Sequence, residues 1–210
     1  MFDLNVVAKT GIVPVIVLDD ARKAVPLARA LLEGGISMME ITFRTAAARD
    51  SIAAVVKEVP EMIVGAGTVV TEAQLEAALE AGVQFLVSPG LDPDIVTAAK
   101  KREVPIFPGI VTPSELLAGL KLGVEVFKFF PAGNYGGVST LKALSGPFPQ
   151  VKFLPTGGIS EKNAADYYAL KQVVAIGGSW MAPADLIEAE DYAEIVKRTK
   201  QAVAVFTASR

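Results

Sequence analysis

The sequence predicts a single α/β domain, a (β/α)8 TIM barrel, and three observations carry that prediction. Eight short apolar, β-branched runs recur along the 210 residues, each starting about 20 to 27 residues after the one before. Alanine-rich amphipathic stretches lie between them, as they must where helices join parallel strands. The first run, IVPVIVLDD, lacks the G-x-G-x-x-G that would mark an open dinucleotide-binding sheet. No linker, low-complexity segment or change of composition marks a second domain, so residues 1–210 read as one barrel.

The elements follow in order. A short helix is expected over 1–10, ahead of strand one. Strands are expected at 12–17, 37–42, 62–66, 84–88, 104–108, 124–130, 151–155 and 173–177. After strand one, Asp19-Asp20 stands where a metal ligand or a helix cap would, and the cap is the better reading. ARKAVPLARALLEGG is a helix that stops at its glycines. TEAQLEAALEAG opens with the capping pattern Thr71-x-x-Gln74 and closes at Gly82. TPSELLAGLKLG places Pro113 in a first helical turn and Gly123 beyond the last. EKNAADYYALK reads as a solvated helix with Tyr167 and Tyr168 divided between core and surface, and a final helix is expected over about 190–207.

Composition narrows the chemistry. The chain is 51% hydrophobic with a formal net charge of −3, so there is no basic excess to draw it to nucleic acid. The start, MFDLNVVAKT, lacks the pattern of a signal peptide, and no apolar run reaches the roughly 18 residues of a membrane span. A cytoplasmic protein is expected. With no cysteine and no histidine, the chain has no thiolate, no Ser-His pair and none of the commonest zinc ligands. Acid–base work near neutral pH falls to Glu, Asp, Lys or Tyr.

A barrel places its chemistry at the carboxyl ends of the strands. There the sequence offers Glu40 to Arg44, then Thr68, Ser88-Pro89-Gly90, Pro108-Gly109, Lys128, Thr156-Gly157-Gly158 and Gly177-Gly178-Ser179. Strand side chains alternate between faces. Lys128 therefore shares a face with Val126 and Phe130, and Glu40 with Thr42 and Arg44. Helices require the outer face to be apolar, so Lys128 and Glu40 both aim inward. A lysine in VEVFKFFPAG has three readings: it snorkels to solvent, forms a core ion pair, or acts as a nucleophile whose proton affinity its three phenylalanine neighbours depress.

The surroundings favour chemistry. A neutral lysine amine attacks a ketone to give an iminium, which stabilises a carbanion on the adjacent carbon. A carboxylate such as Glu40 moves the protons. Arg44 and Thr68 can hold a substrate carboxylate. The backbone N–H groups at Gly157-Gly158 and Gly177-Gly178, with the Ser179 hydroxyl, can hold a phosphate. These parts suit a Schiff-base aldolase acting on a phosphorylated 2-keto acid, with no metal and no other cofactor.

In MEITFRT, VGAGTV, FLVSPG, PIFPGIVTPSE, VFKFFPA, VKFLPTGGIS and AIGGSW, in this order, the sequence resembles the 2-keto-3-deoxy-6-phosphogluconate (KDPG) and 4-hydroxy-2-oxoglutarate (KHG) aldolases. The resemblance runs from about residue 10 to 205. It implies a lyase of the Entner–Doudoroff route that forms an imine at Lys128, uses Glu40 as general acid and base, and releases pyruvate and D-glyceraldehyde 3-phosphate. It further implies that Arg44 and Thr68 bind the pyruvate carboxylate and that Pro89 walls the site. Thr156 would bear on stereochemistry, Gly157, Gly158, Gly178 and Ser179 would receive the phosphate, and the chain would be a homotrimer. AAARD lacks the proline that often follows this arginine-threonine, which bears on the mobility of that loop. Two other readings stand beside this one: a phosphogalactonate-type aldolase, and a non-catalytic or designed assembly subunit. Trp180 reads as packing, and Tyr135 as a residue that borders the site at most.

Overall fold

The computed structural model describes residues 4–209. In chain order the elements are α1 (Leu4–Thr10), β1 (Ile12–Ile16), α2 (Ala24–Glu33), β2 (Met38–Thr42), α3 (Ala48–Glu58), β3 (Ile63–Gly67), α4 (Glu72–Glu80), β4 (Phe85–Val87), α5 (Pro93–Lys101), β5 (Ile106–Phe107), β6 (Gly109–Ile110), α6 (Pro113–Lys121), β7 (Val126–Phe129), α7 (Gly137–Ser145), β8 (Lys152–Pro155), α8 (Ala164–Tyr168), β9 (Ile176–Gly178), α9 (Ala184–Glu188) and α10 (Tyr192–Ala208). The helix expected over 1–10 is present as α1, with residues 1–3 outside the described part.

All strand pairs are parallel. Six strands form one curled sheet in the order β5-β4-β3-β2-β1-β9, and β6-β7-β8 form a second. The fifth expected strand, 104–108, is shorter than its sequence suggests and gives way to a further pair of strand residues. Pro108 has no N–H to offer a ladder. The chain therefore pairs with β4 before it and with β7 after it, while the Pro108 carbonyl accepts the N–H of Lys128 at 2.9 Å. Parallel bridges Phe153↔Val173 and Thr156↔Gly177 connect β8 to the segment that enters and forms β9. The last strand starts later than expected because Val173 makes only that single bridge.

Buried apolar side chains fall into two clusters that follow strand parity. Ile12, Ile16, Met39, Ile41, Phe127, Phe129 and Phe153 belong to the large cluster under the helices. Val13, Met38, Phe85, Val87, Phe107, Val126 and Leu154 form the cluster on the concave side, where Val7 of α1 joins them. Glu40 and Lys128 lie two residues beyond Met38 and Val126, and so on the same concave side. Tyr167 and Tyr168 are both buried, a correction to the core-and-surface division; the Tyr168 hydroxyl donates to the Gly11 carbonyl at 3.0 Å.

Helix starts follow local chemistry. Asp20 accepts the Arg22 N–H at 2.9 Å and caps the short turn that leads into α2. Thr71 accepts the Gln74 N–H at 3.2 Å, but Gln74 reaches back to the Val70 N–H rather than to Thr71 itself. Thr112 and Glu115 complete a reciprocal capping box ahead of α6. Burial pushes the Glu115 carboxyl up, but hydrogen bonds from the Val111 N–H, the Thr112 hydroxyl and the Thr112 N–H outweigh it, and the group titrates below its ordinary value.

Thr112→Ala should therefore cost about 1 kcal/mol in urea denaturation at neutral pH. Because the folded state holds the Glu115 carboxyl below its unfolded value, this interaction contributes fully above the unfolded value and fades as pH falls through the folded one. Glu115→Gln should accordingly be less stable than the unaltered chain at pH 7, with the gap narrowing as the pH is lowered below the carboxylate range.

Candidate functional site

β7 and β2 bring together two residues 88 positions apart. Lys128 Nζ lies 3.2 Å from Glu40 Oε1, with relative exposures of 3% and 0%. The Lys128 backbone is set by its pairing with Gly109 on one side and Leu154 on the other. Glu40 is set between Val15 and Gly65. The other carboxylate oxygen, Oε2, is buried with no hydrogen-bond partner among the described residues. Native interiors seldom leave such an atom without a partner, and a site of chemistry is one place where they do. Lys128 neither snorkels nor sits among three phenyl rings. Phe127 and Phe129 face the helices, and only Phe130 lies against the amine, at 5.2 Å from ring centroid to Nζ.

Arg44 and Thr68 meet at the rim. Arg44 Nε lies 3.4 Å from Thr68 Oγ1. Thr68 directly follows β3 and has φ +58°, a left-handed conformation that a β-branched residue rarely takes. Hydrogen bonds on either side hold it there: the Phe43 N–H donates to the Gly67 carbonyl at 2.8 Å, and the Val69 N–H to the Val87 carbonyl at 3.1 Å. The Arg44 loop is tied down without a proline. The Thr45 hydroxyl donates to the Leu18 carbonyl, and the Thr42 hydroxyl to the Ile16 carbonyl at 3.0 Å.

Across the sheet, Thr156 is buried, with its hydroxyl 2.2 Å from where a side-chain carbon on Gly177 would stand. Glycine at 177 is what leaves that hydroxyl room. The bridge between these two residues sets Gly157-Gly158 beside Gly178-Ser179. Gly157 (φ +94°) and Gly158 (φ +73°) need glycine for their backbone conformations. Their carbonyls are taken, Gly157 by the Gly133 N–H at 2.9 Å and Gly158 by Asn163 Nδ2 at 3.0 Å. Their N–H groups are the turn's remaining polar atoms. Trp180 packs over Gly178 as expected, and the Ser179 side of the turn is exposed. Pro89 is half-buried, with its carbonyl 2.1 Å from where a side chain on Gly109 would begin, and Gly109 is the register partner of Lys128.

The remaining candidates fall outside this arrangement. Asp20 is occupied by the Arg22 guanidinium and N–H, which hold its carboxyl down at about 2. No group of three or more acidic residues among the described residues could hold a metal ion. Tyr135 is exposed on a turn after β7. Gly67, Gly109 and Gly177 make space in this arrangement, a role that strand alternation does not reveal; the signal in the sequence is the spacing of glycines within one strand, as at Gly65 and Gly67.

The layout defines a class: a parallel α/β protein with a lysine and a carboxylate paired in its dry interior, at the strand ends where such folds place their chemistry. A family model described as KDPG and KHG aldolase matches residues 4–198. The KHG/KDPG aldolase of Escherichia coli (strain K12) is 53% identical over 192 residues, 91% of this chain and 90% of that one. The 2-dehydro-3-deoxy-phosphogluconate aldolase of Dickeya dadantii (strain 3937) is 49% identical, over 94% of this chain and 92% of its own. A crystal structure of KDPG aldolase from Legionella pneumophila, with pyruvate captured at low pH as a covalent carbinolamine intermediate, superposes with a TM-score of 0.92. It is 40% identical and covers 95% of this chain and 97% of its own. The chain belongs to the KDPG and KHG aldolase family.

Two predictions follow from the pair and its rim. Lys128→Met strands the Glu40 carboxylate and should cost about 3–5 kcal/mol in chemical denaturation, whereas adding Glu40→Gln should recover much of that loss. Thr68→Gly removes a left-handed threonine, a penalty of about 1–2 kcal/mol set against the greater entropy of an unfolded glycine. Thermal denaturation should show it no less stable than the unaltered chain.

Proposed function

We propose that this chain is a class I, imine-forming aldolase. It cleaves 2-dehydro-3-deoxy-6-phospho-D-gluconate to pyruvate and D-glyceraldehyde 3-phosphate, and 4-hydroxy-2-oxoglutarate to pyruvate and glyoxylate. The observation that carries the reading is the buried contact of Lys128 Nζ with Glu40 Oε1 at 3.2 Å, with Oε2 left to receive a substrate proton. Family membership and the relatives' names support it.

The geometry supports a simple proton ledger. Transfer of a proton from Lys128 to Glu40 leaves a neutral amine, which attacks the C2 ketone. Glu40 gives that proton to the alkoxide so formed, takes one from the nitrogen and returns it to the carbinolamine hydroxyl; water departs, and the iminium forms. The Glu40 carboxylate then takes the C4 hydroxyl proton. The C3–C4 bond breaks, its electrons pass into the iminium, the aldehyde leaves, and an enamine of pyruvate remains. Glu40 gives its proton to C3, and water releases pyruvate and the free lysine. One carboxylate thus serves each proton step in turn.

The rest of the site serves position. Arg44 and Thr68 bind the substrate carboxylate on one side of the pair. Gly157, Gly158, Gly178 and Ser179 bind the phosphate on the other, and Thr156 and Pro89 line the space between. In this reading the two parallel sheets close into one (β/α)8 barrel domain over 1–210, joined through the chain at Pro108 and by the bridges from β8. The protein works as a cytoplasmic homotrimer, without a metal. No helix among the described residues is long and apolar enough to cross a membrane.

Incubation with pyruvate and borohydride tests the reading. Intact mass and peptide mapping should place a single reduced adduct on Lys128; its absence, or its presence on another lysine, would remove the imine mechanism. Glu40→Gln should lower kcat by about 10²- to 10⁴-fold in a coupled aldehyde assay. Cleavage should persist in EDTA, and a loss restored by magnesium would point instead to metal-assisted chemistry.

A further inference from the structure

β3 presents a bare face to the concave side of the sheet. Gly65 and Gly67 are two apart and share that face. Neither has a positive φ, so neither is glycine for the sake of its backbone. Each has its missing side chain replaced by a group from a neighbouring strand. The ring of Phe85 fills the space at Gly65, 2.2 Å from where a Cβ would stand. At Gly67 the filling group is the Glu40 side chain. A Cβ there would lie 2.0 Å from Oε1 and 2.6 Å from both Cδ and Cγ.

The register explains the contact. Glu40 is directly opposite Gly65, and Gly67 is opposite Thr42. The carboxylate leans along the strand direction, as strand side chains do, across the position of the residue two further on. From there it meets Lys128. Glu40 is fully buried, so a methyl group at 67 cannot be avoided by swinging the carboxylate out to solvent. The strand is held in place by the Phe43 N–H on the Gly67 carbonyl. The carboxylate, at the end of a flexible side chain, is the part that gives.

We propose that Gly67 is a positioning residue for the aldolase reaction: its lack of a side chain lays the Glu40 carboxylate against Lys128, and any larger residue turns the proton carrier away from the amine. The inference rests on the reading of Glu40 as that carrier. Gly67 itself touches no substrate. Its effect is on the proton steps, while the Arg44–Thr68 clamp and the glycine turns keep their hold on the two ends of the substrate.

A four-member cycle tests it: the unaltered chain, Gly67→Ala, Glu40→Ala, and the two together. Gly67→Ala should lower kcat by about a hundredfold or more, the size of a lost acid–base group, while KM moves by no more than about threefold. In the Glu40→Ala background Gly67→Ala should change neither kcat nor the denaturation midpoint, because the group it would displace is gone. Gly67→Ala with near-normal kcat would overturn the proposal. So would equal losses of rate or stability in both backgrounds, which would make Gly67 a structural residue unrelated to Glu40. If Gly67→Ala alone fails to fold, the stability arm still decides: a double variant as stable as Glu40→Ala supports the contact, and one that also fails to fold refutes it. Full activity in Glu40→Ala alone would instead refute the role given to Glu40, a result separate from the coupling between the two positions.

Discussion

An ammonium and a carboxylate held 3.2 Å apart, away from water, are the constraint from which the rest of this structure follows. Either ion alone in that interior would cost several kcal/mol, and the pair recovers the cost only through close contact. The contact is incomplete: one carboxylate oxygen has no partner among the described residues. An interior selected for stability alone would satisfy that atom or replace both residues with apolar ones. The fold instead places one on β2 of the larger sheet and the other on β7 of the smaller, with each residue locked by strand pairing on both sides. The backbone positions of the two paired residues are thereby set by strands, not by a loop.

Space inside the curled sheet is the second constraint. A phenyl ring, a carboxylate and a hydroxyl each occupy the volume a side chain would fill at Gly65, Gly67 and Gly177. Glycine therefore has two distinct uses here. At Gly157 and Gly158 it permits a left-handed turn that leaves N–H groups at the rim. Along β3 the backbone is ordinary, and glycine serves only to be small. Thr68 shows the opposite choice, a β-branched residue kept where glycine would be easier, with its hydroxyl turned to Arg44. Strain of this kind persists where a side chain is needed for something other than stability.

Much of the fold was legible because strand chemistry is local. Alternation alone assigned Glu40 and Lys128 to one face and Phe127 and Phe129 to the other, and the two buried clusters divide along those lines. Capping by Asp20 and Thr71 was legible for the same reason, since an N-cap contacts its own next residues. The errors lie where an element's neighbours decide. Pro108 splits a strand because of what it cannot donate to the partners on either side. Tyr167 and Tyr168 are both buried because α8 packs against β9 and α10. Gln74 reaches past its own cap because the Val70 N–H lies within range.

The sequence by itself determined which residues could do chemistry: without histidine or cysteine, one lysine in an apolar strand and one inward glutamate were the candidates, and side-chain alternation pointed both the same way. Only the tertiary structure decided that they touch, that it is the Phe130 ring which lies against the amine, and that Gly67 is where the carboxylate lies. Alternation is a property of neighbouring bonds and can be read along the chain. Contact between residues 88 positions apart, and the volume left between three strands, depend on sheet register and curl, which no single strand encodes.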